Sequence, residues 1–270
     1  MIEHSDAPRM PCPFVLVTGG KGGVGKSTLA ANLSVQLARS GVETLLVDLD
    51  LGLANLDVLL RLERRADVED LLSGARALED CVVRGPAGLS VLPASSGAYE
   101  LARAGEDRRR VLLSELARAA GSYEIVVGDT AAGIGEDVLA FAAAADRVLL
   151  VTNPEPAAMT DAYGVLKALD AWSRAEGLEV ATPELVVNLA AGAEEARGVA
   201  QRLRTVAERF LARSPHLIGW LPRSRAVQAA ALEQRPFVLA DPASNASQRL
   251  AALAERLAPA PLKAQAGHVR

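Results

Sequence analysis

The chain of 270 residues is half hydrophobic and 23% charged, so it can bury a sizeable core as one large α/β domain or two small ones. Its net charge of −4 argues against a surface coated with nucleic-acid-binding charge, although a local basic patch stays open. No apolar run reaches the roughly 18 residues of a membrane-spanning helix, and the first fourteen residues lack the apolar segment of a secretory signal. The two cysteines, Cys12 and Cys81, lack metal-binding spacing, so we expect free thiols in a reducing cytoplasm.

Short apolar runs alternate with amphipathic stretches along the chain. This order predicts parallel strands joined by right-handed crossovers, and the continuous apolar character of the runs indicates that both sheet faces are covered. We therefore predict an α/β fold with a doubly wound, mostly parallel sheet and helices on both faces. The predicted domain covers 14–258, between flexible segments at 1–13 and 259–270. The predicted strands are 14–18, 44–48, 89–93, 124–129, 147–153, 184–188 and 216–222, and the main predicted helices are 27–41, 106–120, 159–172 and 244–257, with a mixed helical region near 56–83.

Residues 19–28 read GGKGGVGKST, between the first predicted strand and the first predicted helix. The segment from Gly20 to Ser27 matches the nucleotide-binding pattern G-x-x-x-x-G-K-[ST]. Glycines let successive backbone N–H groups point at phosphate oxygens, and the following helix directs its positive end at the same anion. The alternative, a glycine-rich turn that matches by chance, does not explain the strand before the loop and the helix after it. Lys26 is expected to reach the β- and γ-phosphates of ATP, and the Ser27 hydroxyl to bind Mg²⁺. The predicted phosphate cradle consists of Gly20, Lys21, Gly22, Gly23, Val24, Gly25, Lys26, Ser27 and Thr28.

The loop contains two of the four lysines in the chain, and Lys21 is not part of the plain pattern. The stretch KGGVGKST resembles the deviant P-loop of the MinD/ParA family of ATPases. The resemblance implies that Lys21 is catalytic together with Lys26 and reaches across a dimer interface to the nucleotide of the other subunit. A cation inserted only on dimerisation would stabilise charge on the transferred phosphoryl group and make ATP the link within the homodimer. The alternative is a solvated loop lysine.

Two carboxylates follow the second predicted strand. Asp48 and Asp50 are two residues apart, so in extended structure their side chains share a face. The resemblance implies that Asp50 orients or activates the attacking water and that Asp48 supports the water shell of Mg²⁺. The alternative for both is that they cap the turn after the strand. Asp57 is more simply explained as a helix cap or a dimer contact than as a catalytic residue.

Three further positions complete the predicted site. The apolar strand IVVGD ends at Asp129, an arrangement that holds Mg²⁺ through water in related sites. Gly133 would let the backbone approach the γ-phosphate. Asn188 ends the strand ELVVN and matches the position at which relatives contact adenine, and its amide can both donate and accept. The alternative for Asn188 is an ordinary turn asparagine.

The resemblance covers nearly the whole chain, from about 15 to 257. Within the family it is strongest to the FlhG/FleN branch, MinD-like ATPases that control flagellar number and placement. A flagellar or regulatory protein is therefore the expected partner, with a MinD-type division regulator and a ParA-type partition protein as alternatives. The segments that carry the resemblance are DLDLGLANLDVLL, TNPEPAAMTDAYGVLKAL and GWLPRSRAVQAAALEQRPFVLADPAS.

Two features bear on membrane and nucleic-acid partners. The terminal sequence APAPLKAQAGHVR has two prolines and few large apolar residues, so we do not expect the interfacial helix with which many relatives bind membranes. Peripheral membrane association is thus in doubt. Arg202, Arg209 and Arg213 share one face of a predicted helix and could form a DNA-binding surface, but such a row is more often a solvated face. We predict a cytoplasmic, Mg²⁺-dependent ATPase that dimerises around ATP, is slow without its partner, and acts as a spatial or regulatory switch.

Overall fold

The strands form one eight-stranded sheet in a computed structural model that describes residues 9–94, 105–211 and 213–259. The order across the sheet is β3-β4-β2-β5-β1-β6-β7-β8. Every neighbouring pair is parallel except β3 and β4, which are antiparallel. The strands are β1 Phe14–Thr18, β2 Thr44–Leu49, β3 Val83–Arg84, β4 Ser90–Leu92, β5 Ile125–Thr130, β6 Arg147–Thr152, β7 Glu184–Ala190 and β8 Leu217–Pro222.

Helices connect the parallel strands and cover both faces of the sheet. Among the described helices, none combines the length and the apolar composition that crossing a bilayer demands. The helices are α1 Lys26–Arg39, α2 Leu56–Leu60, α3 Val68–Leu72, α4 Leu78–Cys81, α5 Glu106–Ala119, α6 Glu136–Ala144, α7 Pro156–Glu176, α8 Ala193–Leu211, α9 Arg225–Leu232, α10 Phe237–Ala240 and α11 Asn245–Leu257.

The sheet separates two apolar clusters, one on each face. In β1, Phe14 and Leu16 belong to one cluster and Val15 and Val17 to the other, and all four are buried. Successive strand residues point to opposite faces, so a strand covered on both sides must be apolar at every position. Each fully buried side chain of this size contributes roughly 1.5–3 kcal/mol to the free energy of folding. The predicted doubly wound α/β fold is confirmed.

The strand order makes β1 a central strand of the sheet, between β5 and β6. From β1 the chain goes to β2 on one side of the sheet, and from β6 it goes to β7 on the other side. In open α/β sheets, ligands bind at such a switch point, in the crevice beyond the carboxyl ends of the strands. The glycine-rich loop begins at that end of β1.

Four elements of the structure were not predicted from the sequence patterns: β3, α6, α9 and α10. β3 has only two residues and is not buried, so it has no apolar run to detect. α6 reads EDVLAFAAA, which is too uniformly apolar after its first two residues to show a helical period. The predicted domain limits stay predictions, because residues 1–8 and 260–270 lie outside the described part of the chain.

The prediction that three arginines share one face of a helix is wrong for Arg213. α8 ends at Leu211, so Arg213 is not on the helix face with Arg202 and Arg209. The Arg213 side chain is only 11% exposed, and its Nε lies 3.1 Å from Asp170 Oδ1 on α7. A guanidinium buried in an ion pair is not available to a phosphate backbone, which weakens the predicted DNA-binding face.

Candidate functional site

The glycine-rich loop leads directly from β1 into α1. Gly25, the residue before the helix, has φ 95° and ψ 27°, a left-handed conformation that favours glycine. No side chain caps the N-terminus of α1, and its first turn contains no acidic residue. The free N–H groups and the positive helix end therefore remain available to an anion.

Two glycines of the loop are required by close packing. A Cβ atom at Gly20 would overlap the backbone carbonyl of Asp161 on α7, and one at Gly25 would overlap the side-chain amide of Asn188. Gly22, in contrast, has no atom of the described residues within 4 Å of the corresponding position, apart from its own chain neighbours. The loop is thus held tightly against the protein at both ends and is open at its centre, where a ligand can approach.

The two loop lysines have different environments. Lys26, the first residue of α1, is buried, with 8% of its surface exposed, and lies close enough to Asp129 to lower the pKa of that carboxyl group. Lys21 is much more exposed, and its Nζ lies 3.2 Å from Oε2 of Glu155. The side chains of Lys21 and Glu155 are 41% and 57% exposed. Lys26 is therefore buried beside the Asp129 carboxyl group, whereas Lys21 forms an ion pair with Glu155 at the surface.

Asp48 and Asp129 are direct neighbours at the carboxyl ends of β2 and β5. The two residues pair in the register of the strands, and both are buried. The hydroxyl of Ser27 hydrogen-bonds with the Asp129 carboxylate, while Asp129 Oδ1 has no partner among the described residues. Burial raises the pKa of Asp129 from its ordinary 3.8 to about 8, and the charge of Asp48 adds to the rise.

Asp48 also organises the turn that follows β2. Its carboxylate accepts hydrogen bonds from the backbone N–H groups of Asp50, Asn55 and Leu56, at 3.1, 3.2 and 3.3 Å. Burial nevertheless raises the pKa of Asp48 from 3.8 to about 7, against the lowering effect of these hydrogen bonds. Asp50 is half-buried, and its Oδ1 accepts from the N–H of Leu53 at 3.0 Å. Asp48 thus caps the turn, the role considered above as its alternative, and it also faces the predicted metal site.

The oxygens gathered here fit a magnesium ion that is completed by phosphate and water. Mg²⁺ prefers hard oxygen ligands and is commonly held by one or two carboxylates together with substrate phosphates. Ser27 and Asp129 supply such oxygens, and the unpartnered Oδ1 of Asp129 is a buried acceptor that a cation or its water shell would satisfy. Within the described ranges, no group of three or more His, Cys, Asp or Glu residues could hold a metal ion unaided.

Gly133 and Asn188 both contact the glycine-rich loop region in this structure. Gly133 has φ 103°, and its N–H donates to the carbonyl of Gly19 at 2.9 Å. The Nδ2 of Asn188 donates to the carbonyl of Val24 at 2.8 Å, and its Oδ1 accepts from the N–H of Leu189 at 2.9 Å. One N–H of the Asn188 amide and one lone pair of its oxygen are therefore used within the chain, which leaves one donor and one acceptor for a ligand. Adenine binding by Asn188 stays a prediction.

The structure adds two residues that sequence reasoning missed. Asp161 provides the backbone surface on which Gly20 packs, and Glu155 provides the partner of Lys21. Both lie more than 130 positions after the loop, on or just before α7. No local pattern marks either residue, because only the docking of α7 against the loop brings them there.

The chain resembles known proteins along most of its length. A model of the CobQ/CobB/MinD/ParA nucleotide-binding domain matches residues 15–237. The antiactivator FleN of Pseudomonas aeruginosa is 36% identical over 96% of this chain and 91% of its own length. The flagellum site-determining protein YlxH of Helicobacter pylori is 32% identical, over 82% and 74%. The septum site-determining protein MinD of Pyrococcus horikoshii, solved with Mg-ADP, superimposes with a TM-score of 0.74 at 25% identity and covers 91% of this chain and 96% of its own.

Proposed function

The chain belongs to the CobQ/CobB/MinD/ParA family of nucleotide-binding domains, and from this premise we propose that it is a switch ATPase. It binds ATP with Mg²⁺, forms a homodimer around two nucleotides, and separates after hydrolysis. One observation carries the proposal: the uncapped start of α1, the buried Lys26 and the Ser27–Asp129 pair converge beyond the end of β1. A positive helix end, a cation and oxygen ligands for a metal are the parts that a nucleoside triphosphate needs.

Each of these residues has a chemical task in the proposed reaction. Lys26 and the loop N–H groups bind and orient the phosphates, while Ser27 and Asp129 hold Mg²⁺ with Asp48 beside them. When bound, Mg²⁺ neutralises charge on the phosphate oxygens. Asp50 orients the attacking water and accepts its proton, so that the nucleophile is activated only beside a bound nucleotide.

Support for the dimer comes from what surrounds the site. Among the described residues, Lys21 is held by one exposed ion pair, and such pairs contribute about 0–1 kcal/mol, so it can leave Glu155 at little cost. Leu53, in the turn after β2, is 77% exposed, and Ile134, in the loop after β5, is 56% exposed. Exposed large apolar side chains next to a polar site are typical of a surface that a second subunit covers. The proposed interface therefore includes the loops that carry Asp50 and Gly133.

The proposed output is control of flagellar number or placement through a flagellar or regulatory partner in the cytoplasm. The similarity to FleN and to YlxH over most of the chain supports this assignment. A division regulator like the MinD proteins is the second possibility, supported by the fold similarity to a septum site-determining protein. A partition protein acting on DNA has less support, since the Arg213 side chain is buried in an ion pair with Asp170 and is not available to DNA.

The test compares the wild-type protein with Lys26→Ala, using Lys167→Ala as the control because Lys167 is an exposed lysine on α7. Loss of charge-assisted hydrogen bonds of about 1.5–3 kcal/mol should weaken Mg-ATP binding at least tenfold in Lys26→Ala, and should abolish turnover. Lys167→Ala should match the wild type. Unchanged ATP affinity in Lys26→Ala would refute the proposal. In cells, Lys26→Ala should fail to restore normal flagellar counts to a deletion strain.

A further inference from the structure

A groove follows the outer edge of β8, the last strand of the sheet. Among the described strands, β8 has one strand neighbour, β7. The backbone N–H and C=O groups on its outer side therefore pair with no described strand. The opposite edge of the sheet is β3, which has only two residues. β8 has six residues, LIGWLP, and none of them is charged. Exposed edge strands usually carry charged side chains that discourage pairing with another strand, and β8 has none.

The two helices beside β8 form the walls of this groove on opposite faces of the sheet. α8 packs with one apolar cluster and α11 with the other. On α8, Arg197 and Arg204 lie at positions i and i+7, and on α11, Arg249 and Arg256 have the same spacing. This spacing places each pair on one helix face, about 10 Å apart along the helix axis.

Small residues leave room between these arginines. Gly198 and Ala200 on α8, Ala252 on α11 and Gly219 on β8 line two adjoining hollows of about 290 and 480 Å³. The hollows share Arg197 and Leu217, so they form one continuous groove beside the strand. The lining residues of this groove on and before β8 run from Pro215 to Trp220, so the groove follows the strand.

The arginines that border the groove are poorly neutralised. Within the described part of the chain, no carboxylate lies within salt-bridge distance of Arg197, Arg249 or Arg256. Arg249 instead lies over the ring of Trp220, 4.5 Å from its centre, and Arg256 donates to the carbonyl of Ile218 at 2.6 Å. Arg204 alone is paired, with Glu208 at 2.8 Å. A basic groove thus persists in a chain whose net charge is −4.

We propose that this groove binds an extended acidic peptide segment of a partner protein, which adds to β8 as a ninth strand. Arg256 already occupies the carbonyl of Ile218, so main-chain hydrogen bonds to the other edge groups of β8 would supply affinity, and the arginines would supply specificity. Because α8 and α11 lie on opposite faces, both faces of the added strand would meet arginine. The segment should therefore carry neighbouring acidic residues rather than the alternating polar and apolar pattern of an ordinary edge strand.

A protein partner fits this surface better than a nucleic acid. Single-stranded nucleic acids use stacking on large aromatic platforms, but among the described residues that line the groove the one Phe, Tyr or Trp is Trp220, and Arg249 lies over its ring. The row of backbone groups on β8 is matched only by another backbone with N–H and C=O groups. The inference is independent of nucleotide binding, because neither helix contributes a residue to the phosphate cradle.

The probe for the experiment is a fluorescein-labelled peptide of about ten residues, built from Val, Thr and two pairs of adjacent Glu. Its binding is followed by fluorescence anisotropy at about 0.1 M salt, where charge interactions are still felt over about 10 Å. We expect saturable binding to the wild type, at least tenfold weaker binding to Arg197→Glu, and no change for Arg202→Glu. Arg202 is the matched control because it is an exposed arginine on the same helix that does not line the groove.

Two comparisons separate strand addition from simple charge attraction. The same peptide with alternate backbone nitrogens methylated keeps its charge but cannot pair along one edge, so it should bind at least tenfold more weakly. Equal binding of the methylated peptide, or of Arg197→Glu and the wild type, would overturn the proposal. Tighter binding of a thymidine oligonucleotide that Arg197→Glu abolishes would also overturn it, in favour of a nucleic-acid surface. The melting temperature and the ATP turnover of Arg197→Glu are measured as controls. If both are unchanged, weaker peptide binding by this variant does not come from unfolding or from a defect in the proposed ATPase function.

Discussion

Lys21 and Glu155 form an ion pair on the surface of the protein, with 3.2 Å between Nζ and Oε2. The pair joins the glycine-rich loop to the segment just before α7, 134 residues later. About half of each side chain is exposed, at 41% and 57%, so water screens the pair and its contribution to stability is small, about 0–1 kcal/mol. The lysine that sets this loop apart from the plain nucleotide-binding pattern is thus not needed to hold the fold of one subunit.

The first prediction concerns the dimer. We expect an Asp50→Ala variant to keep ATP bound. Its molar mass by light scattering should be twice that of the monomer in Mg-ATP and equal to that of the monomer in Mg-ADP. Adding Lys21→Ala should remove the dimer, because a cation that neutralises phosphate charge across the interface is lost. Lys167→Ala in the same background is the matched control and should still dimerise. A dimer that forms without Lys21 would contradict the proposed cross-subunit contact.

The second prediction concerns the attacking water. Asp50→Ala should bind Mg-ATP within a few-fold of the wild type but hydrolyse it at least about 100-fold more slowly, as expected when a general base is removed. The substitution also removes the 3.0 Å hydrogen bond that Asp50 Oδ1 accepts from Leu53. Asp50→Asn keeps an acceptor there and should show the same loss of turnover, measured by phosphate release. Normal hydrolysis by Asp50→Asn would remove the carboxylate from the chemistry.

The third prediction concerns the stability of the protein without nucleotide as a function of pH. The pKa of Asp129 is raised from 3.8 to about 8 by burial, so the folded state holds a proton that the unfolded state releases. Stability from this group is complete below about pH 4 and is lost as the pH rises through about 8. The melting temperature of the wild type in EDTA should therefore fall between about pH 6 and pH 8.

Asp129→Asn serves as the matched variant, because it cannot ionise at this buried position. Its melting temperature should fall less over the same range and should exceed that of the wild type by a few degrees at about pH 8. The residual slope in the variant is expected from Asp48, the pKa of which is raised to about 7. Parallel curves for the two proteins would show that the Asp129 carboxyl group does not titrate in this range. Mg-ATP should stabilise the wild type and not the variant, which lacks the charged oxygen ligand.

The fourth prediction concerns two glycines of one loop. Gly20→Ala should destabilise the protein by about 1–3 kcal/mol, because the new methyl group overlaps the backbone of Asp161. Gly22→Ala should change stability by less than about 0.5 kcal/mol, since nothing lies within 4 Å of its Cβ position. Chemical denaturation without nucleotide measures both. Equal effects at the two positions would mean that α7 does not pack on the loop as described.

Much of the fold and of the site was predictable from short stretches of sequence. The buried strands β1, β2 and β5 to β7 and the half-buried edge strand β8 are apolar runs, and α1, α5, α7 and α11 have a helical period or a clear start and end. The glycine-rich loop is a local pattern, and its position between a strand and a helix follows from its neighbours. These features depend on residues a few positions apart, which the chain itself keeps together.

The remaining features arise from contacts between distant segments. β3 pairs with β4 although it has only two residues, and Arg213 is buried against Asp170 rather than exposed beside Arg209. Asn188 donates its amide hydrogen bond to Val24, 164 residues away. Such pairings depend on how helices dock on a sheet, and the period of a sequence carries no information about that docking.

The sequence by itself determined the class of this protein: a doubly wound α/β fold with a glycine-rich loop that matches the nucleotide-binding pattern and contains a second lysine. Local backbone conformation and the hydrophobic effect act on neighbouring residues, so both leave a pattern that can be read along the chain. Only the tertiary structure decided that Asp48 and Asp129 are register partners, that Lys21 pairs with Glu155, and that β8 ends the sheet between two rows of arginine. Those relationships join strands and helices far apart in sequence, and packing across the sheet alone brings them together.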